Sequence, residues 1–180
     1  FKIWEGGLGI WGAISIGLFA AFLRYRMLQK KLDLPSFSVF SDSLAPGILF
    51  AQAIGRFGNW FNGELFGRPL DTWWSLQVPV QYRPAGYKQF ESFHPTFLYE
   101  AIWCSLIALL IIYFGKRLKP GQTFAAYVFA YCFGRLFIEL IRIDSANTIA
   151  GLRVNVWVSL VVGVLSAAYF VRAAKERPKS

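Results

Sequence analysis

An all-α integral membrane protein, a multi-span helical bundle of about five spans with an external head region, is the fold class this sequence predicts, and three observations predict it. Of its 180 residues, 56% are hydrophobic and 18% aromatic, with a mean hydropathy of +0.42, more apolar than an ordinary soluble domain. The apolar residues gather in runs long enough to cross about 30 Å of hydrocarbon. The basic residues cluster where alternate runs end: Arg24, Arg26, Lys30 and Lys31, then Lys116, Arg117 and Lys119, then Arg172, Lys175, Arg177 and Lys179. A net charge of +9 can signify nucleic acid, but a basic excess confined to one side of a membrane signifies topology. Nucleic-acid binding is therefore set aside, and the basic ends are assigned to the cytoplasm.

The whole chain, 1–180, reads as one membrane domain. The first span, about 6–22, is Gly-rich and apolar and ends at the first basic cluster. Residues from Leu32 to Leu44 are polar and contain a proline, which suits a connection. Pro46 then suits the first turn of the second span, about 46–61, with Asp42 as a candidate N-terminal cap. Residues 64–93 hold no long apolar run and carry Trp73, Trp74, Tyr82 and Tyr87, so they read as an external, partly interfacial head. The third span, about 95–114, follows His94, for which a capping or interfacial role is favoured over general base. Pro120-Gly121 turns the chain into the fourth span, about 123–141. A short external loop, 145–153, leads to the fifth, about 154–170. Cys104 and Cys132 lie in apolar runs without CxxC spacing and read as small buried side chains. The amino end lies outside and the carboxyl end inside.

Topology converts position into depth. The stretch Gly55-Arg56-Phe57-Gly58-Asn59-Trp60-Phe61-Asn62-Gly63-Glu64 sets an Arg, two Asn and a Glu at the outward end of span two. An ionised side chain near the bilayer centre costs about 2.5–3.5 kcal/mol, so Arg56 needs a partner, a watery cavity or an anionic ligand. The same stretch offers Glu64 as that partner. Tyr131, Arg135 and Glu139 are spaced by four and stack on one face of span four, with Arg142 nearly in line. Tyr99 and Glu100 open span three at the same level. An Arg135–Glu139 pair could simply lock helix packing, but Arg56 and Arg135 at one depth, with no His or Cys cluster to hold a metal, favour an anionic ligand. A guanidinium matches phosphate oxygens in bidentate fashion, and in the outer leaflet the available phosphate belongs to a phospholipid.

These motifs resemble a known family. The stretch from Gly55 through Gly67 is similar to the signature of the bacterial prolipoprotein diacylglyceryl transferases. Trp4-Glu5-Gly6-Gly7-Leu8, Asp42 with Ala45-Pro46, His94-Pro95-Thr96-Phe97-Leu98-Tyr99-Glu100, and Tyr131 through Arg135 and Glu139 to Arg142 follow in the family's order. The resemblance implies an enzyme of the bacterial plasma membrane, with its active site near the outer leaflet. It would transfer the diacylglyceryl group of phosphatidylglycerol to the lipobox cysteine of a prolipoprotein signal region, releasing glycerol phosphate. It implies no redox or metal cofactor. By the same likeness, Arg56, Asn59, Glu64 and Gly67 would bind phosphatidylglycerol, and Tyr131, Arg135 and Glu139 would form the catalytic cluster. Glu139 would either orient Arg135 or accept the thiol proton, orientation being favoured because the neighbouring Arg keeps the carboxylate ionised.

Family members often carry His-Gly-Gly where this chain has Trp11-Gly12-Ala13, so a mechanism with that histidine as base does not operate as drawn here. The family also has about two further spans upstream. The alternatives from other classes are a transporter or translocation subunit and a non-catalytic lipid-binding scaffold. A transport pathway would need polar groups in the inner half of the spans too, which is mostly apolar.

Overall fold

The computed structural model describes residues 10–144 and 146–175, with side chains from residue 16 onward. Five helices carry the chain: α1 (Ile10–Gln29), α2 (Phe37–Phe61), α3 (Thr96–Phe114), α4 (Gln122–Ile141) and α5 (Val154–Lys175). By length and composition, four are apolar enough to cross a membrane: α2, α3 with the 3-10 turn that follows it, α4 and α5. The predicted first span begins outside the described residues. From Ile10 on it is α1, which continues through Arg24 and Arg26. The Trp4–Leu8 motif also lies outside the described residues.

The chain divides into two compact units, residues 1–41 and 42–180, the division falling inside α2. In the first, Phe22 stands edge-on to Phe37 at 5.0 Å and Tyr25 stacks on Phe40 at 4.6 Å. The Tyr25 hydroxyl and the Gln29 amide donate to the Pro35 carbonyl at 3.0 and 2.8 Å, which fixes the turn between the two helices.

The expectation for the start of the second helix is corrected. Ser36 is its N-cap, its Oγ accepting the Val39 N–H at 3.4 Å, so α2 begins nine residues before Pro46. Pro46 lies inside the helix, where it leaves the Asp42 carbonyl without its usual donor. Membrane helices tolerate this because neighbouring groups re-satisfy the backbone. Of the expected connection, residues 32–36 do join the two helices, while 37–44 are helical: Ser41 Oγ bonds back to the Phe37 carbonyl at 2.8 Å. Asp42 does cap a helix, but a different one. Its carboxylate accepts the Gly121 and Phe124 N–H groups at 2.6 and 2.8 Å, at the start of α4.

Within residues 42–180 the core between the helices alternates small side chains with larger ones. Ala45, Leu49 and Ala53 of α2 meet Ala101, Cys104, Ile107, Ala108 and Ile111 of α3 and Tyr127 of α4. Lipid gives helices no hydrophobic reason to associate, so close approach through small residues supplies the attraction. At Gly134 of α4 an added Cβ would land on the Trp103 indole, which donates to the Ala130 carbonyl at 2.9 Å. The outward faces stay apolar: Leu109, Ile112, Phe137, Leu140, Val164 and Leu165 are all more than half exposed, as lipid-facing side chains are.

Residues between α2 and α3 form the head. Strands β1 (Leu76–Gln77) and β2 (Ser92–Phe93) pair antiparallel, and Phe66, Val78 and Phe93 make a small separate core. Between α4 and α5 a hairpin of β3 (Thr148–Ile149) and β4 (Leu152–Arg153) turns through Ala150 and Gly151 at φ 51° and 77°. Two residues at positive φ are the mark of the turn whose twist suits a two-residue hairpin.

Candidate active site

The end of α2 explains much of the Gly55–Gly67 stretch. The Glu64 N–H bonds to the Asn59 carbonyl at 2.9 Å and the Gly63 N–H to the Trp60 carbonyl at 3.1 Å, with Gly63 at φ 65°. This is a Schellman cap, and its left-handed residue is glycine because a Cβ there is strained and would press on the Tyr82 ring. Leu65 is also left-handed, at φ 59°, and its carbonyl accepts the Thr96 hydroxyl. Gly67 and Arg68 are then stitched between two segments: Gly67 N–H to the His94 carbonyl at 2.9 Å, Arg68 N–H to the Ile141 carbonyl at 2.9 Å. A Cβ at Gly67 would lie 2.7–2.8 Å from Ile141 and His94, so only glycine fits. The stretch thereby ties the end of α2 to the start of α3 and the end of α4.

At that junction the charged side chains meet. Arg56 Nε is in ionic contact with Glu100 Oε1 at 3.1 Å, and Arg135 bonds Glu100 Oε2 at 2.9 Å, so one carboxylate on α3 holds guanidiniums from α2 and α4. The Tyr131 hydroxyl lies between them, donating to Glu100 Oε1 at 3.3 Å and accepting from Arg56 at 3.4 Å. Arg135 continues to Glu139 Oε1 at 2.6 Å. Glu139 Oε1 also accepts from Arg142 at 3.2 Å and the Asn155 amide at 3.0 Å, and Oε2 is in ionic contact with Arg153 Nε at 2.8 Å. Asp144 closes the chain, bonding Arg142 through both oxygens at 2.7 Å and Arg153 at 2.7 Å.

Among the described residues four guanidiniums thus face three carboxylates, leaving one positive charge in formal excess. The Glu139 side chain is fully buried and Glu100 5% exposed, whereas Arg56, at 21%, is the most open of the four arginines. Outside the spans, burial opposes ionisation of Asp144, but the bonds and charges of Arg142 and Arg153 prevail and hold its carboxyl below the usual range. Burial, helped by the Arg68 charge, lowers the pKa of His94, whose Nδ1 pairs with the Tyr99 hydroxyl at 3.1 Å.

Of the residues singled out in the sequence, Arg56, Tyr131, Arg135 and Glu139 come together. Glu64 does not pair with Arg56. The Schellman turn carries it onto the exposed surface, and Glu100 takes its place. Asn59 lends its carbonyl to the cap, and its side chain makes no hydrogen bond among the described residues. Gly67 is a packing glycine. The sequence sets Glu100 and Arg142 at the depth of the site but gives neither a role, and it leaves Asp144, Arg153 and Asn155 out. Arg153 and Asn155 follow a loop, and nothing in their spacing points at Glu139.

These features define a polytopic helical membrane protein with a buried guanidinium–carboxylate centre at one end of its helices. The chain belongs to the prolipoprotein diacylglyceryl transferase family, whose profile matches residues 1–172. It is 50% identical to a phosphatidylglycerol–prolipoprotein diacylglyceryl transferase of Streptomyces griseus over 181 residues, 99% of this chain and 53% of the relative. Similar relatives of that name occur in Cutibacterium acnes, at 50% identity over 90% of this chain and 54% of the relative, and Paenarthrobacter aurescens, at 44% over 100% and 58%. The chain spans about half the length of the curated relatives it matches.

Proposed function

We propose that this chain carries the head-group site of a transferase that moves the diacylglyceryl group of phosphatidylglycerol onto the lipobox cysteine of a prolipoprotein, at the outer leaflet of the bacterial plasma membrane. The observation that carries the reading is the excess guanidinium at the Arg56 end of the ion chain. A buried ion pair contributes little net stability, so an unbalanced chain of them is poorly explained as scaffolding and well explained as a phosphate site. The pairs gather at one end of α2–α5 rather than along their length, which favours a reaction centre over a transport pathway.

The reaction is displacement at an sp³ carbon. The cysteine sulfur forms a bond to the glyceryl carbon, the carbon–oxygen bond to phosphate breaks, and glycerol phosphate leaves with the electron pair. The thiol proton passes to the departing phosphate or to solvent. Arg56 and Arg135 stabilise the charge that grows on that phosphate, and a site screened from water strengthens such contacts. Glu100 and Glu139 aim the two guanidiniums. Glu139, already engaged by Arg135, Arg142, Arg153 and Asn155, serves as an orienting group rather than a proton acceptor. Confinement of both substrates to one leaflet supplies the proximity.

The test is transfer of radiolabelled diacylglyceryl from phosphatidylglycerol to a lipobox peptide in membranes holding the intact protein. Wild type transfers label, and Arg56→Ala loses roughly 100-fold or more, the scale of one electrostatic donor. Full activity in a well-folded Arg56→Ala protein would remove Arg56 from the site.

A further inference from the structure

The geometry points to Arg153, on the hairpin outside the spans, as a positioning residue that sets Arg135 through Glu139; this rests on the transferase reading above. The two oxygens of Glu139 have different company. Oε1 is shared by Arg135 at 2.6 Å, Arg142 at 3.2 Å and Asn155 at 3.0 Å. Oε2 makes no hydrogen bond among the described residues; its charged neighbour there is Arg153 Nε, in ionic contact at 2.8 Å. The terminal torsion of a glutamate is soft, so the direction in which Oε1 faces Arg135 depends on what holds Oε2. The side chain is 0% exposed, so an oxygen that lost its charged neighbour would lie away from solvent, where an uncompensated charge is costly.

Arg153 is itself held by both terminal nitrogens. One terminal nitrogen bonds Asp144 Oδ2 at 2.7 Å and the other donates to the Arg142 carbonyl at 3.2 Å. Its backbone closes the hairpin on the left-handed Ala150-Gly151 turn, and the next residue, Val154, donates to the Asn147 carbonyl at 3.0 Å. Two hydrogen bonds from the terminal nitrogens and an ionic contact at Nε, in three directions around one planar group, suit a guanidinium; a lysine ammonium carries the charge but cannot span them. The loop between α4 and α5 therefore acts as a strut for the reaction centre. If Arg135 binds charge that develops on the leaving phosphate, the loss on removing the strut falls on turnover rather than on lipid capture.

The experiment compares intact wild type, Arg153→Lys, Glu139→Asp and the double variant in labelled-lipid transfer, with unfolding temperature in detergent read alongside. Arg153→Lys is expected to lower kcat by roughly 10- to 100-fold, the scale of a displaced catalytic group, with the lipid KM changed less than about twofold. The double variant falls no further than the worse single one, because both act on the same link. Unchanged kcat, or losses that multiply, would overturn the inference. Should Arg153→Lys fold poorly, Asp144→Asn weakens the hold on Arg153, and with it that on Arg142, without replacing Glu139 or either arginine; Arg142→Lys, measured alongside, separates the two. Asp144→Asn is expected to give a smaller loss in kcat alone, and an unaltered kcat there also overturns the inference. If wild type transfers no label, the transferase reading fails separately. The strut is then decided by the side-chain Nε–H resonance of Arg135 in ¹⁵N-arginine protein: displacement by Arg153→Lys or Asp144→Asn supports it, and an unmoved signal refutes it.

Discussion

Glu100 grips two arginines from two different helices, one on each oxygen, while only 5% of its side chain is exposed. Removing its charge leaves Arg56 and Arg135 facing each other with one anion fewer. Breaking a buried pair in this way costs about 3–5 kcal/mol, mostly as uncompensated charge. Glu100→Gln, which keeps the shape, is therefore expected to lower the unfolding temperature in detergent by several degrees and to abolish transfer. An unchanged unfolding temperature would mean that water already reaches the pair. The contrast between the Arg135–Glu139 and Arg56–Glu100 pairs shows what a sequence exposes at this scale. The first lies within one helix at a spacing of four, so helical periodicity reveals it. The second joins residues 44 apart on separate helices, and only packing creates it. Glu64, eight residues from Arg56, was nearer in sequence and is turned away by a glycine cap.

Helix ends were harder to read than helix middles, for a physical reason. Ser41, Asp42, Ser43 and Pro46 are cap and turn residues by intrinsic preference, and they resemble a boundary. Inside α2 each escapes its preference: Ser41 bonds back along the helix, and Asp42 points its carboxylate at another element. The two-residue strands of the head are too short to show any alternation, so residues 64–93 were legible only as not spanning. What Asp42 does for α4 is testable. It satisfies two first-turn N–H groups and sets a negative charge at the positive end of a 20-residue helix, contributions of about 1–2 kcal/mol together. Asp42→Asn retains one acceptor and loses the charge. The protein is expected to unfold a few degrees lower, with amide exchange accelerated at Gly121 and Phe124 but not at residues near Arg135. Uniform acceleration would show that α4 has no local weak point at this end.

Across residues 42–180 the two kinds of charge separate by function. Arginines paired with carboxylates gather where α2 and α4 end and α3 and α5 begin. Lys116 and Arg117 at the end of α3, and Lys175 at the end of α5, lie at the opposite helix ends. Positive residues beside a span are retained in the cytoplasm, whereas ion-paired arginines inside the fold contribute little to that choice. The proposed orientation, head and ion chain outward, follows from the second group alone, and thiol labelling tests it. Cys104 and Cys132 are buried, so the native background is low. Trp73→Cys, at a head position 92% exposed, is expected to react with a membrane-impermeant maleimide in intact spheroplasts. Lys116→Cys is expected to react only after permeabilisation. The reverse pattern would put the head on the cytoplasmic side. The outer-leaflet part of the proposal would then fall, while the proposed anion site at Arg56, Glu100 and Arg135 would move with it to the inner leaflet.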